Sequence, residues 1–135
     1  MHQATVQVQA SGQGLLDITR QIEAVVRASG VVQGMCNVFM THTSASLCIQ
    51  ENADPSARAD LEEFLQRLVP FEKWFRHTAE GRDDMPSHIK SALTNVSLAI
   101  PVCGGELALG TWQGIFLWEH RDYSGPRRLI VTVWS

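Results

Sequence analysis

The chain has 135 residues, 44% of them hydrophobic, and a formal net charge of −3. That length suits one domain, residues 1–135, with a core that needs no disulfide staples. No window is strongly basic. Binding through many Lys and Arg contacts to phosphates is therefore excluded, and no nucleic-acid partner is expected.

In chain order, Met1-His2-Gln3-Ala4-Thr5 shows no basic stretch followed by an apolar one, so no signal peptide is visible. No apolar run approaches the ~20 residues that span a bilayer. The expected address is the cytoplasm, with no membrane partner. Val6 and Val8 alternate with polar residues and predict a half-exposed strand. Ser11-Gly12-Gln13-Gly14 predicts a turn. Asp17 then caps a helix whose apolar residues are Ile18, Ile22, Val25 and Val26, stopped by Gly30. Met35 to Met40 and Leu47 to Ile49 predict strands.

Asp54-Pro55 is a strong helix start, because Asp accepts bonds from free N–H groups and Pro fits the first turn. Leu61, Phe64, Leu65 and Leu68 mark its expected buried face, and Pro70 ends it. Asp84-Met85-Pro86 is a second such start, with Ile89, Ala92, Leu93 and Val96 as its apolar stripe. From Ser97 the pattern turns β. Strands are predicted over Ser97–Val102, Glu106–Leu109, Ile115–Glu119 and Leu129–Trp134, with Pro126 in a loop. The whole reads as one α+β domain, a β framework with about three helices.

Three cysteines, Cys36, Cys48 and Cys103, form an odd set without CxxC spacing, which argues against a disulfide framework or a zinc finger. Cys36 and Cys48 lie in apolar surroundings and are expected to be buried thiols.

Four of the five histidines, His42, His77, His88 and His120, lie in short polar motifs. Imidazole titrates near neutral pH and is the commonest protein ligand for metals, so the four are candidate metal ligands. Asp84 and His88 are four residues apart at a helix start and can share one face. Ser44 lacks the Gly-x-Ser-x-Gly elbow of a nucleophile. Arg121, Arg127 and Arg128 suit phosphate oxygens through the guanidinium fork. Gly110-Thr111-Trp112-Gln113-Gly114 fits a ligand-contacting turn or a Trp buried at a sheet corner.

The order of these blocks is more telling than any one of them. His42-Thr43-Ser44-Ala45-Ser46-Leu47, Glu51-Asn52-Ala53-Asp54, Arg76-His77 and Asp83-Asp84-Met85-Pro86-Ser87-His88-Ile89-Lys90 resemble the YjbQ family. So do Leu109-Gly110-Thr111-Trp112-Gln113-Gly114-Ile115, Glu119-His120-Arg121 and Arg127-Arg128. The resemblance implies two β-sheets with helices packed beside them, assembled as a homotrimer. It also implies secondary thiamine-phosphate synthase activity, which joins a hydroxymethylpyrimidine diphosphate to a thiazole phosphate and releases diphosphate. On that reading His42, Asp84, His88 and His120 are catalytic. Lys90, Trp112, Gln113, Arg121 and Arg127 bind the small phosphorylated substrate. A divalent metal is the expected cofactor. Departing diphosphate suits Mg²⁺, held through Asp83 and Asp84, whereas the histidines suit Zn²⁺. His42, His88 and His120 are expected in one pocket, with His77 beside it or from a neighbouring subunit. A metal-dependent hydrolase or lyase, and a non-catalytic metal- or ligand-binding trimer, are the alternatives.

Overall fold

The computed structural model describes residues 1–135. Its elements are β1 (His2–Ser11), β2 (Gly14–Asp17), α1 (Thr19–Ser29), β3 (Gly34–Met40), β4 (Ala45–Glu51), α2 (Pro55–Leu68), α3 (Asp84–Leu93), β5 (Ser97–Cys103), β6 (Glu106–Leu107), β7 (Gln113–Glu119) and β8 (Ser124–Trp134). This is the expected α+β architecture of two sheets with three helices. No helix is long and apolar enough to cross a membrane.

A five-stranded antiparallel sheet has the order β1-β8-β3-β5-β6, and a three-stranded one the order β2-β7-β4. Alternation drives them together. Cys36, Val38 and Met40 of β3, Leu98, Ile100 and Val102 of β5, and Leu129, Val131 and Val133 of β8 all face one core. Leu47 of β4, Ile115 and Leu117 of β7, and Ile18, Ile22 and Val26 at α1 complete it. The other face of β7, Phe116 and Trp118, packs with Leu15 and with Leu65 and Val69 at the end of α2. β7 is thus buried on both faces, which is why Ile115 to Trp118 is continuously apolar.

Local signals explain the helix ends. Asp17 Oδ1 accepts from the Thr19 N–H at 2.9 Å, and Gly30 closes α1 at φ 70. Asp54 Oδ1 accepts from the Ser56 N–H at 2.9 Å, with Pro55 in the first turn of α2.

Several expectations are corrected. β2 occupies residues expected to lead directly from a turn into the helix cap. Pro126 lies inside β8, paired with Gln9 of β1. It is tolerated there because β3 pairs only with Leu129–Trp134, so that stretch of β8 has one neighbour. The helix face expected in α2 is largely open, with Leu65 buried but Phe64 and Leu68 exposed. α3 reverses the expectation. It buries Asp84, Pro86, Ser87, Lys90 and Ser91 and exposes Ala92 and Leu93, while Val96, expected on its stripe, lies beyond its end and is exposed too. Asp84 lies within the helix, and Asp83 precedes it as the flanking residue. Of the thiols, Cys36 is buried, Cys48 half-buried and Cys103 exposed.

Candidate metal centre

α3 supplies two side chains to one point. Asp84 lies in its first turn and His88 one turn later, so both leave the same face. His77 reaches them from the loop before α3. Its Nε2 lies 2.7 Å from Asp84 Oδ2, and His88 Nε2 lies 3.1 Å from the same oxygen. All three ligand atoms fall within 4.8 Å of one another. Asp84 is buried, whereas the side chains of His88 and His77 are 30% and 52% exposed.

The partners of this cluster show what it lacks. His88 Nδ1 is 3.0 Å from the Thr43 carbonyl oxygen, which only accepts, so Nδ1 carries the proton. With Nδ1 committed, Nε2 meets the carboxylate oxygen through a cation, either its own proton as an imidazolium or a metal ion held between the two atoms. Metal-bound histidines commonly donate their second N–H to a carbonyl in this way. Two imidazoles and a carboxylate suit a transition metal such as Zn²⁺ better than Mg²⁺. Tetrahedral ligands at 2.0–2.1 Å stand roughly 3.3 Å apart, a spacing that the 3.1 Å between His88 and Asp84 approaches and the 2.7 Å between His77 and Asp84 undercuts. The donor set therefore fits a transition metal.

Arg121 braces the cluster. Its Nη1 lies 3.4 Å from Asp84 Oδ1, and Nη2 donates to the Glu80 carbonyl at 2.6 Å and to Asp83 Oδ1 at 3.2 Å. Asp83 Oδ2 accepts from the Asp122 N–H at 2.9 Å. Burial works to raise the Asp83 carboxyl, but the Asp122 N–H and Arg121 outweigh it and hold the pKa below its usual value. Arg121 is in turn pushed up, since its carboxylate neighbours outweigh burial. Gly81, at φ 115, lets the loop turn back under this clamp.

The other candidate residues lie elsewhere. Glu119 ends β7 and His120 follows it, and the two side chains take different partners. Glu119 turns inward and accepts from Arg127 Nε at 2.7 Å and Nη2 at 2.6 Å. Arg127 Nη2 also donates to Ser44 Oγ at 2.9 Å. This buried guanidinium is committed to internal partners. His120 turns towards α3, where its Nε2 is 2.8 Å from Ser46 Oγ. Burial, with Lys90 and Arg127 adding to it, pushes its pKa down to about 3. It is a neutral ring apart from the His77–Asp84–His88 cluster.

His42 Nε2 accepts from the Arg128 N–H at 3.0 Å, so that lone pair is used. Burial, then Arg127 and Arg128, lower its pKa. His42 and His88 do share the rim of a shallow surface hollow with Ser91 and Val96. Lys90 points away from the cluster and donates to Gln66 Oε1 at 2.6 Å. Burial lowers its pKa, against an opposing effect of Asp83. Trp112 and Gln113 belong to the far end of β7. Trp112 is exposed, and Gln113 Oε1 accepts from the Gly110 N–H at 2.8 Å, closing its own turn. Thus Asp84, His88 and His77 converge, His42 lies at their margin, and His120, Arg127, Trp112 and Gln113 do not join them. Sequence reasoning passes over Glu62 and Gln66 beside Lys90. Their four-residue spacing on α2 is the available signal.

Residues 4–135 match the family model described as UPF0047 protein YjbQ-like. The chain is 52% identical over 133 residues to the UPF0047 protein sll1880 of Synechocystis, covering 98% of this chain and 90% of that one. It is 44% identical to the UPF0047 protein YjbQ of Salmonella typhimurium, covering 98% and 96%. Among solved structures it is similar to the hypothetical protein APE1520 from Aeropyrum pernix, with TM-score 0.90, 27% identity, and 100% and 99% of the two chains covered. The conserved hypothetical protein TT1486 from Thermus thermophilus gives TM-score 0.86 and 34% identity over 97% and 99%. With the family model matched along almost its whole length and relatives this similar, the chain belongs to the UPF0047 YjbQ-like family.

Proposed function

We propose that this protein is a metal-dependent enzyme for a small phosphorylated substrate, holding a transition metal at His77, Asp84 and His88, and that its reaction is of the thiamine-phosphate synthase type. The observation that carries the metal reading is the His88 ring. Its Nδ1 proton is tied to the Thr43 carbonyl, which leaves Nε2 beside the Asp84 carboxylate oxygen that His77 also meets, as the atom available to a metal. The family resemblance in the sequence carries the reaction type. When bound, the metal would neutralise phosphate oxygens as diphosphate departs. Asp84 holds the two imidazoles in place, Arg121 fixes the carboxylate from its other oxygen, and His77 leaves one side open to solvent.

That open side favours a second reading, hydrolysis or elimination on a small phosphorylated compound. The proposal includes a homotrimer. It is supported by the outward face of the five-stranded sheet, where Met35, Phe39, Ile130 and Trp134 lie together on paired β3 and β8. It also includes a cytoplasmic location, in keeping with three free cysteines.

The test is metal-stripped protein titrated with Zn²⁺ by calorimetry, then assayed with hydroxymethylpyrimidine diphosphate and thiazole phosphate and with a panel of phosphate esters. Wild type should bind one metal per chain and turn over the two precursors. Asp84→Asn and His88→Ala should each lose at least the roughly 100-fold in affinity seen at the upper end for outer partners of metal ligands. Zn²⁺ binding unchanged in both variants would end the metal reading. Metal binding with turnover of esters alone would replace synthesis by hydrolysis, and metal binding without any turnover would leave a binding protein.

A further inference from the structure

α3 presents a second polar surface on its other side. Lys90 follows His88 by two residues and so leaves the helix about 200° around from it. Lys90 is 3% exposed, and none of the chain's ion pairs includes it. Its one hydrogen-bond partner is Gln66 Oε1. Gln66 is itself held, because its amide nitrogen donates to Gln13 Oε1. A lysine this buried is almost always paired with an opposite charge, and an ammonium has three hydrogens to place.

Lys90 lines a cavity of about 190 Å³ between α2, α3, the end of β7 and the β1–β2 turn. His120 lines it too. Its Nε2 is engaged by Ser46, which leaves Nδ1 as the ring atom without a protein partner. The two carboxylates on the wall are already occupied. Glu119 is held in a two-point pair by Arg127. Glu62 Oε2 accepts from the Leu15 N–H at 2.8 Å and lies where a side chain at Gly14 would collide with it. The cavity is therefore a polar space in which the ammonium makes no ion pair and each carboxylate is turned to another donor. Its size is below the roughly 300–1,000 Å³ of drug-sized sites and suits a head group.

We infer that this cavity binds a small oxyanion, a phosphate or a carboxylate, with Lys90 as its counter-charge and His120 Nδ1 as a hydrogen-bond partner. The inference does not rest on the metal reading, since no residue is shared between the two sites. A point-charge lysine is an ordinary phosphate partner. An apolar residue of similar shape in its place removes the cost of an unpaired buried charge.

The experiment measures thermal unfolding of the full chain in a buffer free of small oxyanions, with inorganic phosphate in one series and acetate in the other. Wild type should show a saturable rise in Tm with at least one of them, and the series that saturates names the class. Lys90→Met should start from a higher Tm without anion and show no saturable response. Asp84→Asn, which disrupts the metal set, should keep the wild-type response. Perturbation of the His120 imidazole signals by the anion, with those of His88 unmoved, gives a reading that depends on no variant. The inference is overturned by a flat wild-type response to both anions, by an equal response in Lys90→Met, or by anion-induced changes at His88 alone.

Discussion

α1 and α3 are nearly equal in length, 11 and 10 residues, yet they bury opposite chemistry. α1 turns Ile22, Val25 and Val26 inward against the core between the sheets. α3 turns in Asp84, Ser87, Lys90 and Ser91 and leaves Leu93 in water. The difference lies in what each helix meets. α1 meets apolar strand faces. α3 meets the polar ends of β4 and β7, where Ser46 and His120 project towards it. Each inward group of α3 finds a protein partner. Ser87 Oγ donates to the Asp84 carbonyl at 2.5 Å, Ser91 Oγ to the Ala45 carbonyl at 3.3 Å, and Lys90 to Gln66. A buried polar face with hydrogen-bonded groups adds little net stability but fixes side chains in direction. α1 is built to hold the fold together, and α3 to hold functional groups.

The largest expected effect breaks the apolar side of this contrast. Ile22→Ala should cost about 2–5 kcal/mol in chemical denaturation, by lost burial plus the cavity left behind. Ser87→Ala, equally buried, should cost only about 1 kcal/mol, the net value of one hydrogen bond. Equal losses at the two sites would show that the polar face carries as much of the fold as the apolar one.

The next test uses protons. The unfolded chain protonates His120 near the ordinary 6.5, whereas the folded ring resists until about 3. Between those values the unfolded state binds the extra proton. This contribution to stability is complete above 6.5 and is lost as pH falls, by about 1.4 kcal/mol per pH unit. Denaturation at about pH 7, 6 and 5, values that straddle the unfolded pKa, should show the decline, and His120→Gln should flatten it. Parallel slopes in the two proteins would mean that His120 is wet and freely titrating.

The smallest effect lies on the outer side of α3. Leu93→Ser should change monomer stability by less than about 0.5 kcal/mol, because the side chain is already exposed. A loss of several times that amount, growing with protein concentration, would show that Leu93 is covered in an assembly.

How much can be read from the chain alone follows the same contrast. Where burial is apolar, periodicity is a sound guide. It finds α1, the alternation of β3, β5 and β8, and the continuous run of β7. The Asp54-Pro55 start and Gly30 stop also follow, because their causes are local hydrogen bonds and backbone torsions. Periodicity misleads on α2 and α3, since an apolar stripe shows which face prefers burial but not whether another element is there to cover it. At the candidate site, the four-residue spacing of Asp84 and His88 announces their approach. His77 is expected beside them from its polar motif, without the loop path that brings it to Asp84, and the separation of His120 onto the opposite side of α3 is not visible. Glu119-His120-Arg121 reads as one charged cluster, but β7 ends at Glu119 and the three side chains part to Arg127, Ser46 and Asp83.

The chain alone carried most of the helices and strands, the Asp54-Pro55 start and the Gly30 stop, and the membership in a family, because these rest on short-range chemistry and on blocks of residues in a set order; β2 and the start of α3 lay outside its reach. Only the tertiary structure decided which polar groups share a point in space. The stacking of α3 on the ends of β4 and β7 placed the Thr43 carbonyl behind His88, and with it Nε2 against Asp84. The same packing enclosed Lys90 without a counter-charge. Both are contacts between residues far apart in the chain, and no local rule of sequence specifies them.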